Sequence, residues 1–281
     1  MPAASEHETN STCSEPQGGD MKEKSGWRAW LGAATWMTLC AASPGAHADE
    51  IHVLATGALH GAFDQLVPMF EKSSGHRLAI AWGPSYGTSA EALPMRLRNG
   101  EKVDICFMIK PALQQQVDAG RFDRASLSDI AASGIGVAVR KGVAVPDVST
   151  DNALRHALLS AKSVAFSEGA SGTYIVDTLF KRLGIVDQMK AKSVLIRGKE
   201  LVGTALARGD AELGLQQISE LKVTPGIDFA GPLPADVQKT SVIASAIAVN
   251  AQAADASRAF AAFLKTAPAV AVLQKTGLDP L

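Results

Sequence analysis

Short apolar runs rich in β-branched residues alternate along the chain with longer stretches whose apolar positions recur every three or four residues. Residues 51–55 read as a strand, and Phe63, Leu66, Val67 and Phe70 then follow at helical spacing. Residues 77–82 are strand-like, 88–97 helix-like, and 103–108 a buried strand. The rhythm resumes with a strand over 134–139, a helix over 152–160, a strand over 163–166 and a helix over 173–183 that stops at Gly184. A strand over 193–196, a helix over 200–208 and a strand over 212–215 come next. Residues 226–234 read as turn-rich, 241–249 as a strand, and 253–265 and 268–275 as the last two helices. A β-α-β order of this kind predicts an α/β fold with mostly parallel sheets flanked by helices.

So many strands exceed one compact sheet. The pattern splits near Ser133 and returns near Thr240, which predicts one lobe from 49–133 plus 241–281, a second from 134–240, and a cleft where the carboxyl ends of both sheets meet.

The amino end changes the picture only in one respect. Residues 1–20 are polar and build no core, so they read as an extension upstream of Met21. From Met21 the basic Lys22, Lys24 and Arg28 precede an apolar run over 29–42 and the small-residue sequence Ala46-His47-Ala48. That is the pattern of a secretory leader over 21–48 cleaved near Ala48, with an apolar run short of the roughly 20 residues of a membrane span. The expectation is an exported, periplasmic protein with no stable membrane insertion. The remaining chain holds 24 basic against 23 acidic residues and no basic patch, which argues against nucleic acid as a partner. Cys106 is then the single cysteine, inside an apolar run where a buried small hydrophobe is expected. No histidine pair has metal-ligand spacing, and no nucleotide or nucleophile-elbow motif is present, so neither a metal nor a cofactor is expected.

The candidate chemistry lies in three strand-to-helix turns made of small and hydroxylated residues. Thr56-Gly57-Ala58 is the first, Ser85-Tyr86-Gly87-Thr88 falls in the second, and Ser171-Gly172-Thr173-Tyr174 in the third. Such turns present backbone N–H and hydroxyl donors to an anion, although a serine or threonine there is also an ordinary helix cap. Arg197-Gly198-Lys199-Glu200 adds two basic side chains at a fourth turn. Lys199 and Glu200 equally suit an exposed first helical turn, His60 a cap, and Tyr86 and Trp82 packing.

On these turns, and on 213–221, Gly226-Ile227-Asp228, Gly231-Pro232-Leu233-Pro234 and Gly277-Leu278-Asp279-Pro280, the chain resembles the periplasmic molybdate-binding proteins, type II solute-binding proteins of ABC transporters. The resemblance implies a two-lobed periplasmic-binding-protein type II fold, an interlobe site for a small anion, and an ABC permease as partner. It also implies where the ligand would touch: Gly57 and Ala58, Ser85 with Tyr86, Gly87 and Thr88, Ser171 with Gly172 and Thr173, Lys199, and Gln217. Here Ala58 stands where the family's binders carry a serine and Gln217 where they carry a tyrosine, while Lys199 adds a cation. That set implies an organic carboxylate rather than molybdate. The same branch is similar to the aconitate isomerases, which implies as an alternative a cofactor-free proton shift using Lys199, Glu200, His60 or Tyr174 as the base.

Overall fold

A computed structural model describes residues 48–281, so the leader pattern before Ala48 and the extension over 1–20 lie outside the described residues. Strand β1 (Glu50–Ala55) leads through a 3-10 turn, Gly57–Leu59, into helix α1 (His60–Ser74), which Gly75 ends in the left-handed conformation at φ 78°. Then follow β2 (Arg77–Trp82), α2 (Leu93–Arg98), β3 (Ile105–Ile109), α3 (Lys110–Asp118) and β4 (Ser128–Ser133). The chain crosses into β5 (Ile135–Arg140), α4 (Asp151–Ser160) and β6 (Val164–Ser167). Next comes a helical run of α5 (Ala170–Tyr174), a π-helical turn (Ile175–Leu179) and α6 (Phe180–Arg182). Helix α7 (Val186–Lys190), β7 (Ser193–Ile196), α8 (Val202–Arg208), β8 (Leu213–Gln217), α9 (Ile218–Lys222) and β9 (Ile227–Pro232) complete this part. The chain then returns through β10 (Ser241–Ile247), α10 (Ala254–Phe263), α11 (Ala267–Lys275) and β11 (Asp279–Pro280).

These strands form two sheets, β11-β4-β10-β3-β1-β2 and β7-β6-β8-β5-β9. Both are mixed rather than mostly parallel. β1 pairs in parallel with β2 and β3, and β6 with β7 and β8, but β10 and β5 run antiparallel to both of their neighbours. The cause is topological: β5 and β10 are the first strands each sheet receives after a crossing. They start at the edge where the β-α-β strands end. The stretch read as turn-rich, over 226–234, contains β9, an edge strand carrying Gly231 and Pro232 beside a register shift at Val137/Ala138. The helix read over 88–97 shortens to α2, which starts beside Pro94 in its first turn.

Alternation places the core. Ile105, Phe107 and Ile109 of β3 pack on one side with Phe63 and Phe260, while Cys106 and Met108 pack on the other with Leu54, Leu93 and Leu113. Phe63, Phe107 and Phe260 meet edge to face with centroids 5.3–5.8 Å apart, an arrangement that adds specific aromatic attraction to area burial. Cys106 is fully buried and desolvation pushes its thiol up, which leaves it unreactive. In the second lobe Val137, Val164, Phe166 and Leu215 pack against Leu154, Leu158, Leu179 and Phe180, and Ala138 and Ala165 against Val202 and Leu206 of α8. Among the described residues no single helix is long and apolar enough to cross a membrane.

The crossings at Gly134 and over 233–240 lie side by side, joined by one side chain. Gln238 accepts from the Ile135 N–H at 2.7 Å and donates to the carbonyls of Ile135 at 3.0 Å and Leu233 at 3.2 Å. Tyr174 donates to the Val237 carbonyl at 2.9 Å. Replacing Gln238 by alanine strands a backbone donor, and the expected cost is about 1–3 kcal/mol. A thermal melt of Gln238→Ala should show a melting temperature several degrees lower; an unchanged melt would refute the joining role.

Candidate functional site

Six strands point their carboxyl ends at one narrow cavity of about 40 Å³. Thr56 and Gly57 follow β1, Trp82 to Ser85 follow β2, and Ile109 closes β3; Ser167, Gly198 and Gln217 stand at the ends of β6, β7 and β8. Ligands of open α/β sheets bind at such ends because the strand-to-helix turns expose backbone and short polar side chains there. The volume suits a few waters, so an organic acid enters only if the lobes part.

Two carboxylates bind the turn 197–200, and one of them crosses between the lobes. Glu168, in the second lobe like the turn itself, accepts from the Gly198 N–H at 2.8 Å and lies 3.7 Å from Arg197. Glu91, from the first lobe, accepts from the Lys199 N–H at 3.0 Å and pairs with Lys199 Nζ at 3.4 Å. Gly198 sits at φ 68° with the Glu91 carboxylate against its Cα, so both the backbone conformation and the close approach require glycine. Hydrogen bonding to the Lys199 N–H, with help from the Lys199 side chain, holds the Glu91 carboxyl below its usual range. A depressed carboxyl of this kind supports closure above the ordinary carboxylate range and releases it as the pH falls through the lowered value.

The remaining walls are hydrogen-bonding groups. The Ser85 hydroxyl, 2% exposed, accepts from the Ile109 N–H at 3.0 Å and keeps its own proton for donation. Ser171 lies 3.4 Å from the Ser167 hydroxyl. Gln217, with its amide nitrogen facing the crossing strands, donates to the carbonyls of Ser133 at 2.9 Å and Gly134 at 3.2 Å, so a wall of the cavity is tied to the hinge. Gln216 accepts from the Val202 N–H at 2.8 Å and anchors the start of α8. His60 stacks on Trp82 at 4.6 Å and reaches Asp64 at 3.4 Å, with 40% of its side chain exposed. Glu220 completes the wall. It is 8% exposed, has no ion-pair partner among the described residues, and burial pushes its carboxyl up to about 8 against a hydrogen bond from the Gln217 backbone that lowers it.

The pattern of a family described as bacterial extracellular solute-binding protein matches residues 51–279. The chain belongs to that family. An aconitate isomerase from a Pseudomonas species is 37% identical over 243 residues, spanning 86% of this chain and 91% of the relative. Among solved structures, the periplasmic molybdate-binding protein of Azotobacter vinelandii superimposes with a TM-score of 0.66 at 18% identity, over 81% of this chain and 98% of its own. The sulfate-binding protein of Mycobacterium tuberculosis gives 0.65 at 16% identity, over 83% and 87%. Both share the two-lobed α/β fold expected from the sequence.

Within this solute-binding fold, the structure gathers Gly57, Ser85, Ser171, Lys199, Glu200, Gln217 and His60 around the one cavity. Others face elsewhere. Ala58 is 2% exposed in the first core, so it offers the cavity no side chain. Tyr86, Thr173 and Tyr174 line a separate groove with Lys110 and Lys239, and the Tyr174 hydroxyl is spent on Val237. Gly87, at φ 110°, packs on Glu168, and Thr88 is exposed. Gly172 lies against the Ser167 carbonyl, where a Cβ has no room. Glu200 lines the cavity but its carboxylate pairs with Arg208 at 2.7 Å. Sequence reasoning missed Glu91, Glu168 and Glu220, whose burial or reach depends on chain far away in sequence.

Glu91→Ala should loosen the closed state. Small-angle X-ray scattering of the ligand-free variant is expected to give a larger radius of gyration than the wild type, and the wild type should expand likewise in acid; superimposable curves would contradict the clamp.

Proposed function

We propose that the cleft captures a small organic polycarboxylate and that the protein interconverts cis- and trans-aconitate. The observation carrying this reading is the 37% identity to an aconitate isomerase across nearly the full length of both chains. The cavity supports it chemically. Ser85, Ser171 and Gln217 supply neutral hydrogen-bonding groups from both lobes, and Lys199 supplies a cation at the mouth for a carboxylate.

The reaction moves one proton and one double bond. A base takes a proton from the methylene carbon, and the electron pair of that C–H bond spreads over the three-carbon skeleton and an adjacent carboxylate. The same proton returns to the former vinyl carbon, so the double bond shifts with no net redox change. Donors aimed at the carboxylate stabilise the charge that develops between the two transfers, and closure strengthens them by removing water. Of the four bases the sequence suggested, Lys199 is paired with Glu91, Glu200 with Arg208, and Tyr174 faces another groove, leaving His60 at the mouth.

Membership of the extracellular solute-binding family favours a second reading, in which the protein only captures the carboxylate and delivers it to a membrane permease. Export to the periplasm, as the leader pattern suggests, suits both. Adding trans-aconitate to the purified protein and following cis-aconitate by chromatography separates them: catalytic turnover supports the isomerase, and saturable binding without conversion leaves the binder. In either case Ser85→Ala and Lys199→Ala should each weaken binding roughly tenfold to a hundredfold, as loss of a charge-assisted hydrogen bond of about 1.5–3 kcal/mol requires. Unchanged affinity by calorimetry would remove that residue from the site.

A further inference from the structure

Helix α9 follows β8 of the second lobe and packs on both lobes, with Leu221 in the second core and its other side against the first lobe. Three glycines of the first lobe admit it. A Cβ on Gly61 would collide with Val223, one on Gly277 with Lys222, and one on Gly57 with the Glu220 carboxylate oxygen itself. The result is a carboxyl group pressed beneath the Thr56-Gly57 turn, in the cavity wall and nearly out of water, with no ion-pair partner among the described residues. For stability alone a glutamine or an aliphatic side chain would serve better there, since an unpaired acid in a buried site costs free energy on ionisation.

We propose that Glu220 is the catalytic residue that takes the proton from one carbon of the bound tricarboxylate and returns it to the other. This inference rests on the isomerase reading. Glu220 stays protonated at neutral pH but within about a unit of ionising, the range in which one group serves as base and then as acid. The ionised carboxylate accepts the proton from the methylene carbon and becomes the neutral form that its surroundings favour, then releases that proton to the second carbon. The other titratable groups facing the cavity are His60 from α1 and Lys199 and Glu200 from the turn before α8. Lys199 and Glu200 are paired with Glu91 and Arg208, and Lys222 on α9 itself lies against Gly277. His60 is part-exposed, stacked on Trp82 and paired with Asp64. Among the described residues, only Glu220 combines burial, a carboxyl without an ion pair and a place in the wall.

The test uses the intact protein with trans-aconitate in deuterium oxide, read by proton NMR, beside calorimetric binding. Wild type should form cis-aconitate, with activity rising with pH toward a plateau above about 8. Glu220→Gln should bind trans-aconitate within about threefold of wild type and convert it at least 100-fold more slowly, the usual contribution of a positioned acid–base group. Glu220→Asp, which keeps the acid but shortens its reach, should retain a fraction of kcat with a displaced pH profile, and it carries the test if the glutamine variant fails to fold. A Glu220→Gln protein that converts aconitate at the wild-type rate overturns the role of Glu220 alone. A wild type that binds aconitate and never converts it overturns the isomerase reading, and this role with it.

Discussion

Glu91 reaches across the cleft to the backbone and side chain of Lys199, and that contact sets the conditions for everything inside. With it made, the cavity is about 40 Å³ and Ser85, Ser171 and Gln217 around it are buried. In such a low-dielectric space each hydrogen bond to an anion strengthens, and an unpaired acid resists ionisation. The same contact occupies the one lysine at the mouth. In the proposed reading a carboxylate ligand competes with Glu91 for Lys199, so its entry would be coupled to opening of the lobes.

Hinge and cavity are also continuous. Gln238 joins the two crossing strands, Gln217 binds the carbonyls of Ser133 and Gly134 from the cavity side, and the Ile218 N–H donates to the Gly134 carbonyl at 2.9 Å. A group that moves Gln217 or α9 thus moves the crossing point itself. Glu220 stands on the short helix that both lobes grip.

Much of the fold was legible because local patterning and burial agree. Alternating Ile105, Phe107 and Ile109 against Cys106 and Met108 marks β3 as covered on both faces, and the α1 stripe of Phe63, Leu66 and Phe70 marks its partner. β9 was misread because Gly231 and Pro232 imitate a turn, although an edge strand tolerates both. In the third loop Ser171 faces the cavity, but Thr173 and Tyr174, two and three positions further on, are carried round the helix to another groove. Glu220 escaped notice for a different reason. In Ile218-Ser219-Glu220-Leu221-Lys222 it looks like a solvated acid of a first helical turn, and it is covered by Gly57, while Gly61 and Gly277 admit the neighbouring Val223 and Lys222; the fold alone brings these glycines to α9.

Whether the cleft between the sheets takes a tricarboxylate is decided by a crystal structure of the protein grown with trans-aconitate. The expected result is two lobes wider apart than here but closed around the ligand, its carboxylates on Ser85, Ser171 and Lys199, and one of its outer carbons within reach of Glu220. Aconitate bound outside the cleft, or inside it with Glu220 turned away, would overturn both the site and the role of Glu220.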